Sequence, residues 1–413
     1  MQNLLNEIRE LSNQCKCGNP HNDMTIEEIA VGKQAIKNLL AFLQRKQYQK
    51  AMVVVDANTH QATGELLVSQ LEQASIPFAI CTILGDENGD VVADEQSLVQ
   101  VCLETESSTD IMLAVGSGTI HDITRFCSAK LNIPFISVPT APSVDGFTSL
   151  GAPLIVRGEK KTFQMTAPIA LFADTELLKK APKSMIAAGF GDMLAKITSL
   201  SDWEFDHYAT GEPYCSLSAQ LTKEALDECI NNIEKIKQGK EEGIQILMES
   251  LIKSGLAMML FGQSHPASGG EHHLSHYWEM HLLKQKQPQI LHGAKVGVTT
   301  ALLAEIYQKQ FVHWLEKIED IAEYAPSEEY AAIMNNIQQN KKQIITVYNN
   351  IPTRSEISRL LECVGGAIEP MQLGISNELV MDSLKEAHHL RNRFTALKFL
   401  NEVIKSDYAK VIV

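Results

Sequence analysis

The pattern of apolar residues changes near residue 180, and this change constrains the fold more than any other feature of the 413-residue chain. From about residue 30 to 175, apolar runs such as "MVVVD", "DIMLAVG" and "IPFISVP" alternate with stretches of helical periodicity. Apolar strands that are each followed by a helix predict a parallel sheet covered on both faces. After "KKAPKS" the pattern is helical with no convincing strand. We therefore predict an α/β domain with a parallel sheet over residues 1–180 and an all-α domain over 181–413.

Composition and charge narrow the class of protein. Hydrophobic residues make up 45% of the chain and charged residues 21%, which suffices for ordinary globular cores. The 50 acidic residues outnumber the 36 basic ones, and the formal charge of -14 argues against general binding of nucleic acid or anionic membrane. A small anionic substrate is still permitted, because a cleft can be locally positive.

Targeting and redox features predict a cytoplasmic protein without membrane insertion. No apolar run reaches the roughly 18 residues of a transmembrane helix, and "MQNLLNEIRELSNQ" is typical of a short surface helix rather than a signal peptide. The eight cysteines are scattered, which favours reduced thiols. The segment "CKCGNPH" brings Cys15, Cys17 and His21 close together. Because a structural zinc site normally uses four ligands at wider spacing, we expect a polar loop here rather than a metal site.

Three segments at predicted strand ends suit a nucleotide. In "VGSGTIHD", Gly116 and Gly118 allow a tight turn, and the next helix offers free N–H groups to a phosphate. Asp56, at the tip of "MVVVD", suits a ribose diol and disfavours a 2′-phosphate. The loop "PTAPSVDGFTS" adds small hydroxyls. Each segment also has an explanation without a ligand: the glycines can form an ordinary turn, Asp56 can cap the next helix, and the hydroxyls are common in loops. Taken together, the three segments favour a bound dinucleotide.

The histidines of the second half suggest a cation site. In "ASGGEHHLSHYWEM", His272 and His276 share one helix face, whereas His273 points elsewhere. His273 stands where a zinc peptidase helix would carry glutamate. His292 opens another helix, and Asp192 lies in an apolar one. One aspartate and two histidines suit a divalent cation with open positions. Taken singly, each histidine is more often an ordinary residue of a helix surface or of the core. Asp192 taken singly is explained as a helix N-cap or as the ion-pair partner of Lys196.

Several of these segments, taken in order, carry a resemblance to a known family. They are "VGSGTIHDITRF", "PFISVPTAPSVDGFTS", "LFADTELL", "AAGFGDMLAKITSLSDWE", "PASGGEHHLSHYWEM" and "QILHGAKVG". The chain resembles the iron-containing alcohol dehydrogenase and dehydroquinate synthase superfamily and, within it, the bacterial branch of the sn-glycerol-1-phosphate dehydrogenase family. The resemblance implies a dehydroquinate synthase-like fold, with a nucleotide-binding α/β domain, a helical domain and a site in the cleft between them.

The resemblance also implies a reaction, the reversible NAD(P)-dependent reduction of dihydroxyacetone phosphate to sn-glycerol 1-phosphate, and a homodimer. It implies metal ligation by Asp192, His272 and His292, with zinc, nickel or iron as the metal. It implies substrate contacts by Asp145, Asp192 and His276, of which His276 and Asp192 are catalytic. The implied cofactor contacts are Asp56, Gly118, Thr119, Ile120, His121, Asp122, Thr140, Ala141, Pro142, Ser143 and Ser149.

The chain departs from the family pattern at two positions. His265 stands where relatives often carry an arginine, and this would weaken any phosphate contact made there. Val144 replaces the histidine of archaeal relatives, in keeping with the bacterial branch. His273 is expected to be a packing residue or to support a ligand. Arg391 and Arg393, in "HHLRNRFTALKFL", are assigned no chemistry beyond a possible anion contact.

Three other functions fit parts of this pattern. A dehydroquinate synthase-like cyclase uses NAD and a metal but consumes no NADH. A polyol dehydrogenase does not need a phosphate on its substrate. A protein that binds nucleotide or metal without turnover would lack activity with any cation.

Overall fold

The computed structural model describes residues 1–410, and its secondary structure changes where the apolar pattern changes. In that part of the chain the last strand ends at Ala173, and only helices follow Lys183. The predicted fold class, an α/β half followed by a helical half, is confirmed. A strict division at residue 180 stays a prediction. Leu5 and Ile8, from the first helix, share a hydrophobic core with Phe190 and other residues of the helical half.

Six parallel strands form the main sheet, in the order β1-β8-β5-β4-β2-β3. The central strands are buried along almost their whole length, because helices cover both faces of the sheet. Their carboxyl ends carry Asp56 and the glycine turn at Ser117, as predicted. The strands of the described chain are β1 (Glu28–Val31), β2 (Ala51–Asp56), β3 (Phe78–Ile83), β4 (Ile111–Gly116), β5 (Phe135–Pro139), β6 (Gly151–Val156), β7 (Glu159–Gln164) and β8 (Ala170–Ala173).

Strands β6 and β7 form a separate antiparallel hairpin that the sequence pattern did not predict. Arg157 and Gly158 connect them, with φ of 54° and 75°. Two consecutive left-handed residues are typical of the tight turn whose twist matches a hairpin. This hairpin matters for function because it carries Lys160 to the cavity described below.

The helices of the described chain surround the sheet and then form the helical half. The first group is α1 (Gln2–Gln14), α2 (Ala35–Lys46), α3 (Ala57–Thr59), α4 (Glu65–Gln73), α5 (Glu95–Glu104), α6 (Gly118–Leu131) and α7 (Thr175–Leu178). The second group is α8 (Lys183–Leu194), α9 (Lys196–Thr210), α10 (Ser216–Asn231), α11 (Ile233–Gln238), α12 (Glu241–Phe261), α13 (Gly270–Lys284), α14 (His292–Ile306), α15 (His313–Lys317), α16 (Glu328–Gln339), α17 (Lys341–Asn349), α18 (Arg354–Cys363), α19 (Asn377–Glu386) and α20 (Ala396–Phe399).

Helix α12 is the one helix of the described chain that is long and apolar enough to cross a membrane. Its most apolar window is 78% buried within the protein. Burial against its neighbours explains this composition, because a central core helix needs apolar residues on every face.

Helices α8 and α14 approach so closely that glycine is required between them. A Cβ added at Gly293 would lie 1.8 Å from the carbonyl oxygen of Ala188, and one at Gly191 would lie 2.4 Å from that of Gly293. Without side chains at these positions, the two backbones are in direct contact. The close approach brings Asp192, near the end of α8, to His292 at the start of α14.

Candidate active site

A cavity of about 440 Å³ separates the carboxyl ends of the strands from helices α13 and α14. Residues of both halves line it, among them Gly118 and Asp145 on the sheet side and His272 and Lys295 on the helical side. Ligands of open parallel sheets bind at this edge. The predicted site residues are therefore expected to lie around this cavity.

Asp192, His272 and His292 come together beside this cavity. One ligand atom from each lies within 4.8 Å of the others, and Asp192 is fully buried. The Nδ1–H of His272 donates to Glu271 Oε1 at 2.7 Å, which leaves Nε2 facing Asp192 Oδ1 at 3.9 Å. A carboxylate behind a histidine is the usual support of a metal ligand.

The charges around these three residues suit a divalent cation. Burial lowers the pKa of His272 well below its usual value and that of His292 to about 3, so both imidazoles are neutral, as ligands must be. Lys196 contacts Asp145 at 2.7 Å and Asp192 at 3.1 Å. Burial opposes the charge of Lys196, but the two carboxylates outweigh it and raise the pKa of its ammonium. One lysine between two carboxylates leaves a net negative charge, and the donor set of one carboxylate and two imidazoles fits a divalent metal.

A second group, His276, Glu279 and His292, also has ligand atoms within 4.8 Å of one another. Glu279, however, accepts from Lys160 at 2.7 Å with both oxygens and lies 3.3 Å from Lys295. Burial opposes ionisation of this carboxyl, but the two lysines hold its pKa well below its usual range. A carboxylate already neutralised by two ammonium groups is a poor ligand. The first group is therefore the better metal site.

His276 and Asp145 line the cavity, where a substrate would contact both. Arg391 Nη2 donates to His276 Nδ1 at 3.3 Å, so the neutral ring carries its proton on Nε2. Burial lowers the pKa of His276 well below its usual value. His276 is thus a neutral hydrogen-bond donor rather than an imidazolium. Asp145 is held by Lys196 and by Ser254, whose hydroxyl donates at 2.8 Å.

The predicted cofactor residues divide into two sets. The set that lines the cavity is Asp56, Gly118, Thr119, Ile120, Asp122, Ser143 and Ser149. Asp56 also caps the next helix, because one carboxylate oxygen accepts from Thr59 N at 2.8 Å. Asp122 pairs with the buried Arg125 at 2.7 Å. Burial raises the pKa of Asp122 to about 7 against the opposing effect of Arg125.

The set that does not line the cavity is His121, Thr140, Ala141 and Pro142. The His121 side chain points into the core, where Nδ1 bonds Ser117 O and Nε2 bonds Ser137 Oγ, both at 2.8 Å. Burial lowers the pKa of His121 to about 3. The side chain of His121 therefore packs in the core, and the cofactor contact expected at His121 stays a prediction. Thr140 to Pro142 are buried in the loop that packs on α8, where the Pro142 carbonyl meets Gly189.

Sequence reasoning missed several charged residues of the cavity, namely Lys160, Glu279, Lys295 and Arg391. Lys295 follows His292 by three residues and Glu279 follows His276 by three, so helical spacing alone would have found both. Lys160 depends on the unpredicted hairpin. Arg391 comes from the far end of the chain, and no local signal indicated where its side chain would lie.

Packing explains both His265, a departure from the family pattern, and His273, for which a packing or supporting role was expected. His265 lies outside the cavity lining, with Nε2 3.2 Å from Glu212 Oε1, and burial lowers its pKa to about 2. His273 is fully buried, and neither ring nitrogen has a hydrogen-bond partner among the described residues. Neither histidine supplies a positive charge to the cavity.

Comparisons with known proteins agree with this geometry. A family model of iron-containing alcohol dehydrogenases matches residues 30–182. The iron-containing alcohol dehydrogenase of Corynebacterium glutamicum superposes with a TM-score of 0.63, covering 93% of this chain and 95% of that one at 14% identity. The maleylacetate reductase of Rhizobium sp. strain MTP-10005 gives 0.63, covering 92% and 97% at 13% identity. At such low identity these structures share the fold alone.

Sequence relatives are much closer. The chain is 52% identical to the glycerol-1-phosphate dehydrogenase (NAD(P)+) of Geobacillus stearothermophilus over 405 residues, which are 98% of this chain and 99% of that protein. The protein of the same name from Bacillus subtilis is 47% identical over 91% of each chain. That from Pyrococcus horikoshii is 33% identical over 69% of each. With relatives of this name matching almost its whole length, the protein belongs to the glycerol-1-phosphate dehydrogenase family of the iron-containing alcohol dehydrogenases.

Proposed function

We propose that this protein is an NAD(P)- and metal-dependent dehydrogenase that interconverts dihydroxyacetone phosphate and sn-glycerol 1-phosphate. The observation that carries the proposal is a partly buried arginine, Arg391, which lines the same cavity as His272 and His292, beside which Asp192 completes the candidate metal site. A metal held there would polarise the carbonyl that the reduced cofactor reduces. A guanidinium in the same cavity explains why the substrate carries a phosphate.

Arg391 has the character of a phosphate ligand. Its guanidinium donates to Ser268 Oγ at 2.9 Å and to His276, and among the described residues no carboxylate oxygen lies within ion-pair distance of it. Arg393 lies behind it and bonds Ser264 Oγ at 2.8 Å and the carbonyl of Ser268. Burial lowers the pKa of Arg391 to about 10, which still leaves it charged at neutral pH. A partly buried guanidinium that no carboxylate contacts directly favours a dianionic group of the substrate.

Asp192, His272 and His292 would hold the divalent metal. When bound there, the metal supplies Lewis-acid polarisation of a substrate oxygen. Glu271 orients His272, and Lys196 keeps Asp145 and Asp192 in fixed positions. One carboxylate and two imidazoles suit zinc, nickel and iron alike, so the proposed metal is one of these three.

The cofactor would bind along the turn that opens α6. The first N–H groups of α6 have no partner within the helix, and they suit a pyrophosphate. A Cβ at Gly118 would lie 3.1 Å from Val144, which indicates how closely the turn packs on the next loop. Asp56 suits the adenosine ribose and favours NAD over NADP. Ser143, bonded to Ser117 at 2.6 Å, and Ser149 suit the remaining polar groups.

The chain's own residues then position the reacting substrate. Arg391 binds the phosphate, and Asp145 accepts from a substrate hydroxyl. His276 donates from Nε2–H toward the oxygen that becomes the new hydroxyl, and so stabilises its developing charge. Because Arg391 donates to Nδ1, His276 does not take up a second proton there to act as a relay, and the proton of the new hydroxyl comes from solvent. We therefore assign His276 a hydrogen-bonding role.

We also propose a cytoplasmic homodimer. All eight cysteines are free in the structure, in keeping with a reducing compartment. Strand β3 lies at the edge of the sheet, and four apolar residues are exposed on or near it: Ile80, Leu84, Val99 and Leu103. A second copy packed on this edge would cover them.

The direct test uses sn-glycerol 1-phosphate and NAD+ with metal-reconstituted protein. NADH should accumulate with this enantiomer and not with sn-glycerol 3-phosphate. Equal rates with both enantiomers, or with glycerol, would contradict the proposed specificity. Consumption of a sugar phosphate without net NADH change would indicate a cyclase-type reaction instead.

A further inference from the structure

A second cluster of metal-ligating side chains lies outside the lining of the cavity, where the segment after α1 meets the start of α10. It consists of Cys15, Cys17, His21 and Cys215, and one ligand atom from each lies within 4.8 Å of the others. Three members come from the short "CKCGNPH" segment. The fourth, Cys215, is 194 residues beyond His21 and supplies the ligand that the local sequence lacked.

The distances within the cluster match those of ligands sharing one zinc ion. His21 Nε2 lies 3.3 Å from both Cys17 Sγ and Cys215 Sγ, and Cys15 Sγ lies 3.9 Å from Cys215 Sγ. Tetrahedral zinc with usual bond lengths separates two sulfurs by about 3.8 Å and a sulfur from a nitrogen by about 3.6 Å. A disulfide would instead bring two sulfurs to about 2.05 Å. The arrangement therefore favours a metal over a sulfur–sulfur bond.

The surroundings of the cluster orient its ligands. Nδ1 of His21 lies 3.4 Å from the carbonyl of Ser12, which directs Nε2 toward the sulfurs. Cys215 is the N-cap residue of α10, and its sulfur accepts from Ser218 N at 3.4 Å, which holds the side chain in place beside the other three ligands. The Asn19 side chain donates to the carbonyl of Tyr214 at 2.8 Å, so the two segments are already joined.

We propose that Cys15, Cys17, His21 and Cys215 bind a structural zinc ion that is separate from the metal of the active site. Four protein ligands leave no open position for substrate, so the ion would stabilise the fold rather than take part in the reaction. It would fasten the segment after α1 to the helical half, next to the aromatic contact of Trp203 with Phe261.

Cobalt substitution distinguishes this site from the catalytic one. Thiolate ligands give cobalt an intense near-ultraviolet charge-transfer absorption, and the ligands at the cavity, one carboxylate and two imidazoles, do not. The variant His272→Ala/His292→Ala removes the catalytic ligands without touching the cluster. Cys17→Ser changes a half-buried member of the cluster, and Cys363→Ser is the matched control at a distant half-buried thiol.

After loading with zinc, the wild-type full-length protein should hold two zinc equivalents by elemental analysis, and His272→Ala/His292→Ala should hold one. That double variant should keep the full charge-transfer absorption after cobalt loading. Cys17→Ser should lose the charge-transfer absorption and about one equivalent of zinc, and its melting temperature should fall. Cys363→Ser should match the wild type in absorption, zinc content and melting temperature. Absence of the absorption in both wild type and the double variant would overturn the proposal. So would a Cys15–Cys215 disulfide found by mass spectrometry of the non-reduced, alkylated protein. The double variant keeps the test valid should Cys17→Ser fail to fold.

Discussion

Arg391 donates a hydrogen bond to Nδ1 of His276 at 3.3 Å and thereby joins the C-terminal segment to the catalytic cavity. The contact has two effects. It fixes the tautomer of His276 that presents Nε2–H, and it holds the guanidinium at the lining of the cavity. We therefore expect both the proposed phosphate recognition and the orientation of the hydrogen-bond donor to depend on this one arginine.

Arg391→Ala should impair use of the phosphorylated substrate more than that of its unphosphorylated analogue. Loss of a charged hydrogen bond corresponds to roughly 3 kcal/mol, or about a 100-fold fall in kcat/KM for dihydroxyacetone phosphate. Steady-state kinetics with dihydroxyacetone phosphate and dihydroxyacetone measure the effect. The exposed Arg359→Ala is the control. An equal loss for both substrates would show that Arg391 acts only through His276.

Asp192→Asn and His276→Ala should separate the two possible ligand groups. Asp192→Asn removes the only carboxylate of the favoured group, so metal content and activity should fall together. His276→Ala should keep the metal and lose most of its activity, because the Nε2–H donor is gone. Elemental analysis alongside kinetics distinguishes the two. Metal loss in His276→Ala with retention in Asp192→Asn would move the site to His276, Glu279 and His292.

Glu271→Gln should weaken metal binding without removing a ligand. Glu271 accepts from His272 Nδ1 at 2.7 Å, and a neutral acceptor makes this imidazole a poorer ligand. Supporting carboxylates of this kind typically contribute about 10- to 100-fold to affinity. Calorimetric titration of the metal-free protein measures the change, with Glu212→Gln as a control outside the cavity. An unchanged affinity would remove Glu271 from the metal site.

His121→Gln should make the protein less sensitive to acid. The pKa of His121 is lowered by burial to about 3, whereas an unfolded histidine titrates near 6.5. Between pH 3 and pH 6.5 the unfolded chain holds one more proton at His121 than the folded chain. The stability of the fold with a neutral, buried His121 is therefore complete above about pH 6.5 and is lost as the pH falls toward 3. The substitution should reduce the slope of unfolding free energy against pH by about 1.4 kcal/mol per unit near pH 5. Urea unfolding at several pH values measures it. The same reduction in the exposed control His313→Gln would contradict the explanation.

Gly189→Ala should destabilise the fold and disturb the cofactor loop together. An added Cβ would lie 1.9 Å from the carbonyl oxygen of Pro142, so α8 or the loop must move. Overpacking of this kind costs roughly 3 kcal/mol, and the KM for the cofactor should rise as well. Gly146→Ala, with nothing within 4 Å of its added Cβ, is the matched control. Equal stability of the two variants would show that the close approach is easily relieved.

The fold class could be predicted from the sequence because strands and helices each leave a local periodicity of apolar residues. Apolar runs ending in Asp56 and Ser117 indicated parallel strands, and the helical half was recognised by its period alone. The hairpin was missed because β7, EKKTFQ, begins with three consecutive charged residues and shows no apolar alternation, and because both strands lie between stretches already assigned to the α/β pattern. Local spacing also grouped His272 with His276, although His292 is the residue that the close packing of α8 and α14 brings to Asp192.

Partners from distant parts of the chain could not be predicted from one sequence. Arg391 reaches His276 across 115 residues, and Cys215 completes a cluster whose other members lie near the N-terminus. His121 shows that a correctly placed motif does not determine where each of its side chains points. It lies within a correctly placed glycine turn, yet the helix directs its side chain into the core, and only the packing of Phe147 and Ser137 decides this.

The most direct test of the central claim is NADH oxidation by the metal-reconstituted wild-type protein, with dihydroxyacetone phosphate compared with unphosphorylated dihydroxyacetone. A metal site and the proposed phosphate contact of Arg391 at one cavity predict rapid oxidation with the phosphate ester and little with dihydroxyacetone. Equal rates with the two substrates, or no oxidation with either after loading with zinc, nickel or iron, would contradict it.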